Sequence, residues 1–285
     1  KRQKHDLSEG MLDETYEVLS KFFALPVEAK NEYVSPGSRG QTGYTGLLVE
    51  TAAISDTPDW KEMLNWGTPL PDGHPLRDRY PHRYGDPVFP SRHIAEAAEV
   101  LTHFHECLVD LQTRFLRIIA AGVGANEHFF DTMLQHGSHL TRAISYPPMA
   151  EAPNNGQAGH VWAEEHGDIN LITALPRATT RGLQVKVEDR WVDATPPDGH
   201  VIINTGIMLE RLTNGLIPVG WHRVVADPSQ TEGRLSVVQF CHPTPRTILS
   251  PIPSPISAER PCNFPAISAG DCLDQVIWEI NLGAE

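Results

Sequence analysis

The sequence predicts a mainly β fold with flanking α-helices, in which helices pack against an antiparallel sandwich or barrel. Three observations carry the prediction. Before His139 the apolar residues recur at helical spacing, after it they fall into short β-branched runs, and no repeat or low-complexity linker separates the two halves. A chain of 285 residues can bury one large core. One domain over 1–285 is expected, in three stretches: a mainly helical part at 1–138, a β core at 139–243, and a Pro-rich strap with a C-terminal helix at 244–285.

The first helix lies in SEGMLDETYEVLSKFFALP. Leu12, Tyr16, Leu19 and Phe23 make its apolar stripe, Ser8 stands where a cap belongs, and Pro26 lies past its end. A longer helix is expected in SRHIAEAAEVLTHFHECLVDLQTRFLRIIAAGVG. Ile94, Leu101, Leu108 and Phe115 recur there every seven residues, with Ser91 as N-cap and Gly122 as stop. A short helix follows around Asn126–Gln135. Seven strands come next: HLTRAISY, INLITALP, GLQVKV, RWVDAT, HVIINTG, HRVVAD and RLSVVQF, parted by Pro, Gly, Asp and Asn. GLQVKV and RWVDAT should form a hairpin turning at Glu188–Arg190. Seven prolines between Pro243 and Pro265 argue against regular structure there. That stretch reads as an irregular strap across the sandwich, with a Pro-rich ligand for SH3-like modules as the alternative.

Composition bounds the function. Hydrophobic content of 40% and charged content of 21% fit a soluble globular protein. A net charge of −13 would repel phosphate, so no nucleic-acid partner is expected. No membrane partner is expected either, since no apolar stretch is long enough to span a bilayer and KRQKHDLSEG lacks the apolar core of a signal peptide. Cys107, Cys241, Cys262 and Cys272 show no CxxC spacing, and reduced thiols in a cytoplasmic protein are expected. The sequence does not disclose an oligomeric state.

The chemistry begins at EEHGDINLIT, where four ionisable side chains lead into an apolar strand. Burying such groups is costly unless something partners them. In extended chain, His166 and Asp168 would share a face. HxD occurs once in this chain, and alone it could be a surface His–Asp hydrogen bond. His222, in NGLIPVGWHRVVADP, begins another strand about fifty residues on. Two His and one carboxylate on one side of Fe(II) leave adjacent positions open; a half-buried His beside Trp221 is the plainer reading. Twelve residues past His222, RLSVVQF sets Arg234 and Ser236 on one strand face. An Arg fork binds a carboxylate bidentately and a hydroxyl adds a hydrogen bond. In so apolar a strand Arg234 needs an anionic partner, either a bound dicarboxylic acid or a structural ion pair.

In this order the residues resemble the HxD…H…RxS pattern of Fe(II)- and 2-oxoglutarate-dependent oxygenases. The surrounding sequence is similar to the isopenicillin N synthase-like family: FFALPVEAKNEY at 22–33, GLQVKVEDRWVDATPPDGHVIINTGIMLERLTNG at 182–215, WHRVV, RLSVVQFCHP and the terminal FPAISAGDCLDQV. The resemblance implies a double-stranded β-helix (jelly-roll) core. It implies Fe(II) held by His166, Asp168 and His222, with O2 and 2-oxoglutarate as co-substrates. The far carboxylate of 2-oxoglutarate would meet Arg234 and Ser236, helped by Tyr146 of ISYPP, and Asn204 of INTG would lie near the site.

The implied activity is oxidation of an unactivated C–H bond of a small molecule in specialised metabolism, with succinate and CO2 as co-products. Hydroxylation is the commonest outcome, and desaturation, epoxidation and ring closure use the same machinery. Asp168, where Gly or Ala would open a halide site, disfavours halogenation. A 2-oxoglutarate-independent oxidase of isopenicillin N synthase type and an inactive binding protein on the same fold are the alternatives. By position relative to the motifs, Tyr44, Leu47, Trp60, Met63, Arg142, Trp162, Glu164, Glu165 and Asn204 would surround the substrate. Arg142 could meet an anionic group, whereas the two glutamates could meet a cation. Three departures stand out: Ile144 replaces a frequent Asn, Ile207 replaces the acid of NxGD, and the chain opens with KRQKHDL where a first strand and NHG are usual. The first strands are therefore expected to be missing.

Overall fold

Ser8 caps the first helix as its position predicts: its side chain accepts the backbone N–H of Met11 at the start of α1 (Glu9–Phe23). The structure is a computed structural model that describes residues 7–38, 40–49, 58–153, 162–226, 231–254 and 256–279. In α1 the buried stripe is Leu12, Tyr16, Val18, Leu19 and Phe22. Phe23 is only half-buried. After α2 (Val27–Asn31) come two strands the sequence did not announce, β1 (Gly43–Thr45) and β2 (Glu62–Gly67), then the short α3 (Pro75–Arg79). The mainly helical first stretch thus also holds two strands. β2 escaped notice because five of its six residues are buried, so it shows no alternation.

The long helix, α4 (Ala97–Gly122), starts later than expected. Ser91 is not its cap but sits in a turn, where the N–H of Ile94 bonds the Pro90 carbonyl. Phe115 is 37% exposed while Leu116 is fully buried. From Leu101 to Phe115 two heptads on a straight helix drift by roughly 40°, which moves the buried stripe off the seven-residue series. The left-handed residue past the end is Gly124, at φ 73°, not Gly122. α5 (Asp131–Leu134) is shorter than Asn126–Gln135, since the residues before it form turns.

All seven expected strand segments form strands. In chain order the β region holds β3 (Leu140–Tyr146), β4 (Ala163–His166), β5 (Ile172–Leu175), β6 (Leu183–Val187), β7 (Arg190–Asp193) and β8 (Ile202–Thr205). α6 (Ile207–Leu212), β9 (His222–Val224), β10 (Arg234–Cys241), β11 (Ile248–Leu249), β12 (Ile267–Ser268) and α7 (Ala269–Glu279) complete it. The β6–β7 hairpin pairs Val187 with Arg190, and Glu188 adopts φ 54° in its two-residue turn. One correction concerns the strap: β11, between its prolines, pairs with β12, so the stretch is not wholly irregular.

Among the described residues the strands form a major sheet, β1-β2-β3-β10-β5-β8, and a minor one, β4-β9-β6-β7, all pairs antiparallel. The sheets face each other across Tyr146, Leu175 and Val238 on one side and Ala163, Leu183 and Val224 on the other, the jelly-roll arrangement. The outer face of the major sheet (Leu64, Trp66, Ala143, Ala174, Val237) packs on Leu19 and Phe22 of α1 and on Leu101, Phe104 and Leu108 of α4. With both faces covered, the sheet is a rigid platform for whatever its inner face carries.

Candidate metal centre

Register decides which side chains share the inner face. Arg234 pairs with Tyr146, Ser236 with Ile144 and Val238 with Arg142, so these six point into the space between the sheets. Met63 and Asn65 of β2 join them opposite Ile144 and Arg142. At the other edge Phe240 pairs with Thr173, and Thr173 with Asn204.

EEHGDINLIT is not one strand. β4 ends at His166, the chain crosses from the minor to the major sheet, and β5 begins at Ile172. That crossing sets Asp168 against the histidines. His166 pairs with His222 at the start of β9, their ring centroids 4.3 Å apart. One ligand atom from each of His166, Asp168 and His222 lies within 4.8 Å of the others, the one such cluster among the described residues.

Each ligand is held from behind. Nδ1–H of His166 donates to the Glu164 carbonyl at 2.7 Å, and Nδ1–H of His222 to the Gly220 carbonyl at 3.1 Å. A carbonyl only accepts, so these bonds leave both Nε2 lone pairs free to ligate. Oδ2 of Asp168 accepts from Thr173 Oγ1 (2.7 Å) and Asn204 Nδ2 (3.1 Å). Its Oδ1 lies 3.9 Å from Nε2 of His222. A Cβ on Gly220 would fall 2.0 Å from Oδ1 of Asn204, so glycine there lets Asn204 reach the carboxylate.

The charge states suit a cation. Burial drives His166 down to about 4, aided by the His222 imidazole, so it is neutral near pH 7. Burial alone would raise Asp168, but His222, His166 and the two hydrogen bonds outweigh it and hold the carboxyl below its usual range. Two imidazoles and one carboxylate, each fixed behind and converging in front, form a donor set that fits Fe(II) with further positions open.

Arg234 lies on the same face, 7% exposed. Nη1 donates to Ser236 Oγ at 2.9 Å, the guanidinium stands 5.3 Å over the Tyr146 ring, and Nε has no partner. Among the described residues it makes no ion pair, and burial pulls it below its ordinary pKa. An ionised, desolvated fork without a carboxylate is an anion site.

The other expected residues divide. Asn204 holds Asp168 from behind. Arg142 faces inward, its Nε donating to Asn65 Oδ1 at 2.7 Å and its guanidinium 5.5 Å over Phe240. Tyr44 is corrected: it pairs with Leu64, on the helix-facing side, and its hydroxyl donates to Glu62 at 2.6 Å. Trp162 is also corrected, being fully buried behind Tyr146 with its indole N–H on the Pro147 carbonyl. Trp60 is buried and donates to the Pro148 carbonyl; Met63 is on the inner face, and Leu47 is exposed. The Glu164 side chain is half-buried while its carbonyl orients His166, and Glu165 pairs with Lys186 at 2.8 Å. Sequence reasoning missed Thr173, Asn65 and Lys61. A lone Thr inside INLIT was a readable signal. Lys61, whose charge bears on His166 and Tyr146, had none.

Comparison with known proteins gives one answer. The family described as the N-terminal region of non-haem dioxygenase in morphine synthesis matches residues 3–92, and the 2OG-Fe(II) oxygenase superfamily matches 137–243. Mugineic-acid 3-dioxygenase of Hordeum vulgare is 28% identical over 94% of this chain and 73% of its own length. A solved 2OG-Fe(II) oxygenase family protein from Caulobacter crescentus is 34% identical, with TM-score 0.84 over 97% of this chain and 88% of that one. A full-length Neurospora crassa protein, solved in complex with alpha-KG, is 27% identical, with TM-score 0.82 over 98% of this chain and 84% of that one. No helix among the described residues is long and apolar enough to cross a membrane. The chain belongs to the Fe(II)- and 2-oxoglutarate-dependent oxygenases, in their isopenicillin N synthase-like branch, and is a dioxygenase that uses Fe(II), 2-oxoglutarate and O2.

Proposed function

We propose that this dioxygenase hydroxylates a small molecule of specialised metabolism, with His166, Asp168 and His222 as the Fe(II) ligands. Arg234, Ser236 and Tyr146 hold the far carboxylate of 2-oxoglutarate. The observation that carries this reading is Arg234, a buried guanidinium that pairs with no acid among the described residues, on the same sheet face as the triad's supports. Bound Fe(II) and the 2-oxo acid supply dioxygen activation, with decarboxylation to succinate and CO2 coupled to C–H oxidation. The chain's own part is to aim both imidazoles through their Nδ1–H bonds to backbone carbonyls, to fix the Asp168 carboxylate by Thr173 and Asn204, and to position the reactants. Arg142, inward-facing beyond Ile144, is assigned to an anionic group of the substrate. A cytoplasmic location is in keeping with four free cysteines.

The test is succinate release across a panel of candidate substrates, with Fe(II) binding measured alongside. Substrate-stimulated succinate in the wild type, and loss of iron binding and turnover in His222→Ala, are expected. Product formed without 2-oxoglutarate would move the chain to the oxidase type. Full activity in His222→Ala would refute the ligand assignment.

A further inference from the structure

Arg234 is buried, yet it is not sealed in. Together with Ser236, Val238, Leu175 and Leu183 it forms the inner end of a cavity of about 500 Å³. The outer end is formed by Thr179, Arg181, Thr195 and Asp198, all exposed. The cavity therefore joins the guanidinium to solvent between the β5–β6 loop and the segment that follows β7. None of the three metal-site residues lines it.

We propose that this cavity is a port for the dicarboxylate: 2-oxoglutarate reaches Arg234, and succinate leaves it, by this route and not past the metal ligands. The inference rests on the co-substrate assignment above and adds a path and a direction to it.

The rim is built to stay open. Thr179 N–H donates to the Leu235 carbonyl and Leu235 N–H to Thr179 Oγ1, which pins the β5–β6 loop to β10 beside Arg234. On the other side Glu9, at the start of α1, accepts from Gly199 N–H and from Arg177. Arg177 is occupied by Glu9 and Asp13, whereas Arg181 makes no ion pair among the described residues. With Asp198 opposite, the rim is close to neutral, and the pull on a dianion comes from the uncompensated charge at depth. The space lies within the ~300–1,000 Å³ of small-molecule sites, so it has room for a five-carbon diacid. One consequence follows for turnover: succinate can depart while the oxidised product still occupies the metal side.

The experiment follows 2-oxoglutarate binding to the Fe(II)-loaded protein without oxygen, using the visible absorption of the chelate in rapid mixing. Ala178→Trp and Ala194→Trp narrow the rim from its two sides. Association and dissociation should both slow by about tenfold or more, with the equilibrium constant changed by less than about threefold. Arg181→Glu should slow association by roughly two- to fivefold at low salt and not at high salt. Should a Trp variant fail to fold, Ala178→Cys in a Cys262→Ser background gives the same answer: binding is fast before, and slow after, a bulky thiol reagent is attached. Unchanged rates in the blocked forms overturn the port, as does a loss of affinity without slowing, which would mean that the block fills the site itself. Arg234→Met serves as the separate check, because normal 2-oxoglutarate binding there would refute the co-substrate assignment whatever the rates show.

Discussion

Two buried cations lie on opposite faces of the major sheet, and they are solved differently. Lys30, on the helix-facing side, is 6% exposed and sits 2.6 Å from Oε2 of Glu62, which also accepts from the Tyr44 hydroxyl at 2.6 Å. Arg234, on the inner side, is 7% exposed and has a hydroxyl and an aromatic ring for company, with no carboxylate among the described residues. Burial is the same and compensation is not. A charge whose partner is in the chain holds the fold together; a charge whose partner must arrive from outside marks the site.

The largest test removes the internal partner. Glu62→Leu leaves the Lys30 ammonium buried and unpaired, and should cost about 3–5 kcal/mol of folding stability. Denaturant midpoints of the metal-free protein measure it, while iron affinity should stay unchanged in whatever fraction remains folded. A loss below about 1 kcal/mol would mean that Lys30 reaches water on its own, and the comparison would fail on that side.

The second test removes the cation whose partner comes from outside. Arg234→Met should weaken 2-oxoglutarate binding by roughly 10²–10³-fold, the value of a desolvated charge pair. The same change deletes an uncompensated charge, so stability of the protein without co-substrate should hold or rise, by up to about 1–4 kcal/mol. Calorimetric binding and denaturant unfolding read the two effects separately. Destabilisation comparable to Glu62→Leu would show that Arg234 has a structural partner after all.

Asp168 extends the contrast to a buried anion. Its Oδ2 is held by Thr173 and Asn204, which leaves Oδ1 toward His222. Thr173→Val keeps the shape and deletes one donor, and should lower Fe(II) affinity about 10–100-fold with little change in fold. An unchanged affinity in a competition titration would leave Asn204 as the sole support.

What the sequence disclosed follows the same division. His166, Asp168, His222, Arg234 and Ser236 were legible because their order together resembles the HxD…H…RxS pattern, while each alone had a plainer reading. The strands after His139 were legible because β-branched runs are bounded by Pro, Gly, Asp and Asn. β2 was not, because Met63 and Asn65 face inward while Leu64 and Trp66 face the helices, and burial on both faces erases alternation. Tyr44 was placed on the wrong side of the sheet for a related reason: in a three-residue strand only register reveals the face. The α4 stripe failed at Phe115 because a seven-residue count is not the helix period.

The smallest effect per residue should appear in acid, and for His105 it tests whether burial on the helix-facing side is as well partnered as Lys30 suggests. His105 is wedged between Thr68 and Thr141, and burial drives it to about 3; burial takes His139 to about 4 and His242 to about 3. In the unfolded chain each returns to about 6.5. Between those values the unfolded state binds protons that the folded state refuses, so the stability is complete above pH 6.5 and is lost as pH falls toward 4. Each histidine can contribute at most about 1.4 kcal/mol per pH unit in that window. Glu9, Asp131 and Asp168 are held below their usual range and do not titrate there, so the slope between pH 6.5 and 5 belongs to the imidazoles. Denaturant midpoints taken from pH 7 to 5 should therefore fall, and His105→Gln should make the fall shallower. A midpoint that holds or rises over that range would mean that these imidazoles accept protons without unfolding, and their surroundings would then be wetter than their burial implies.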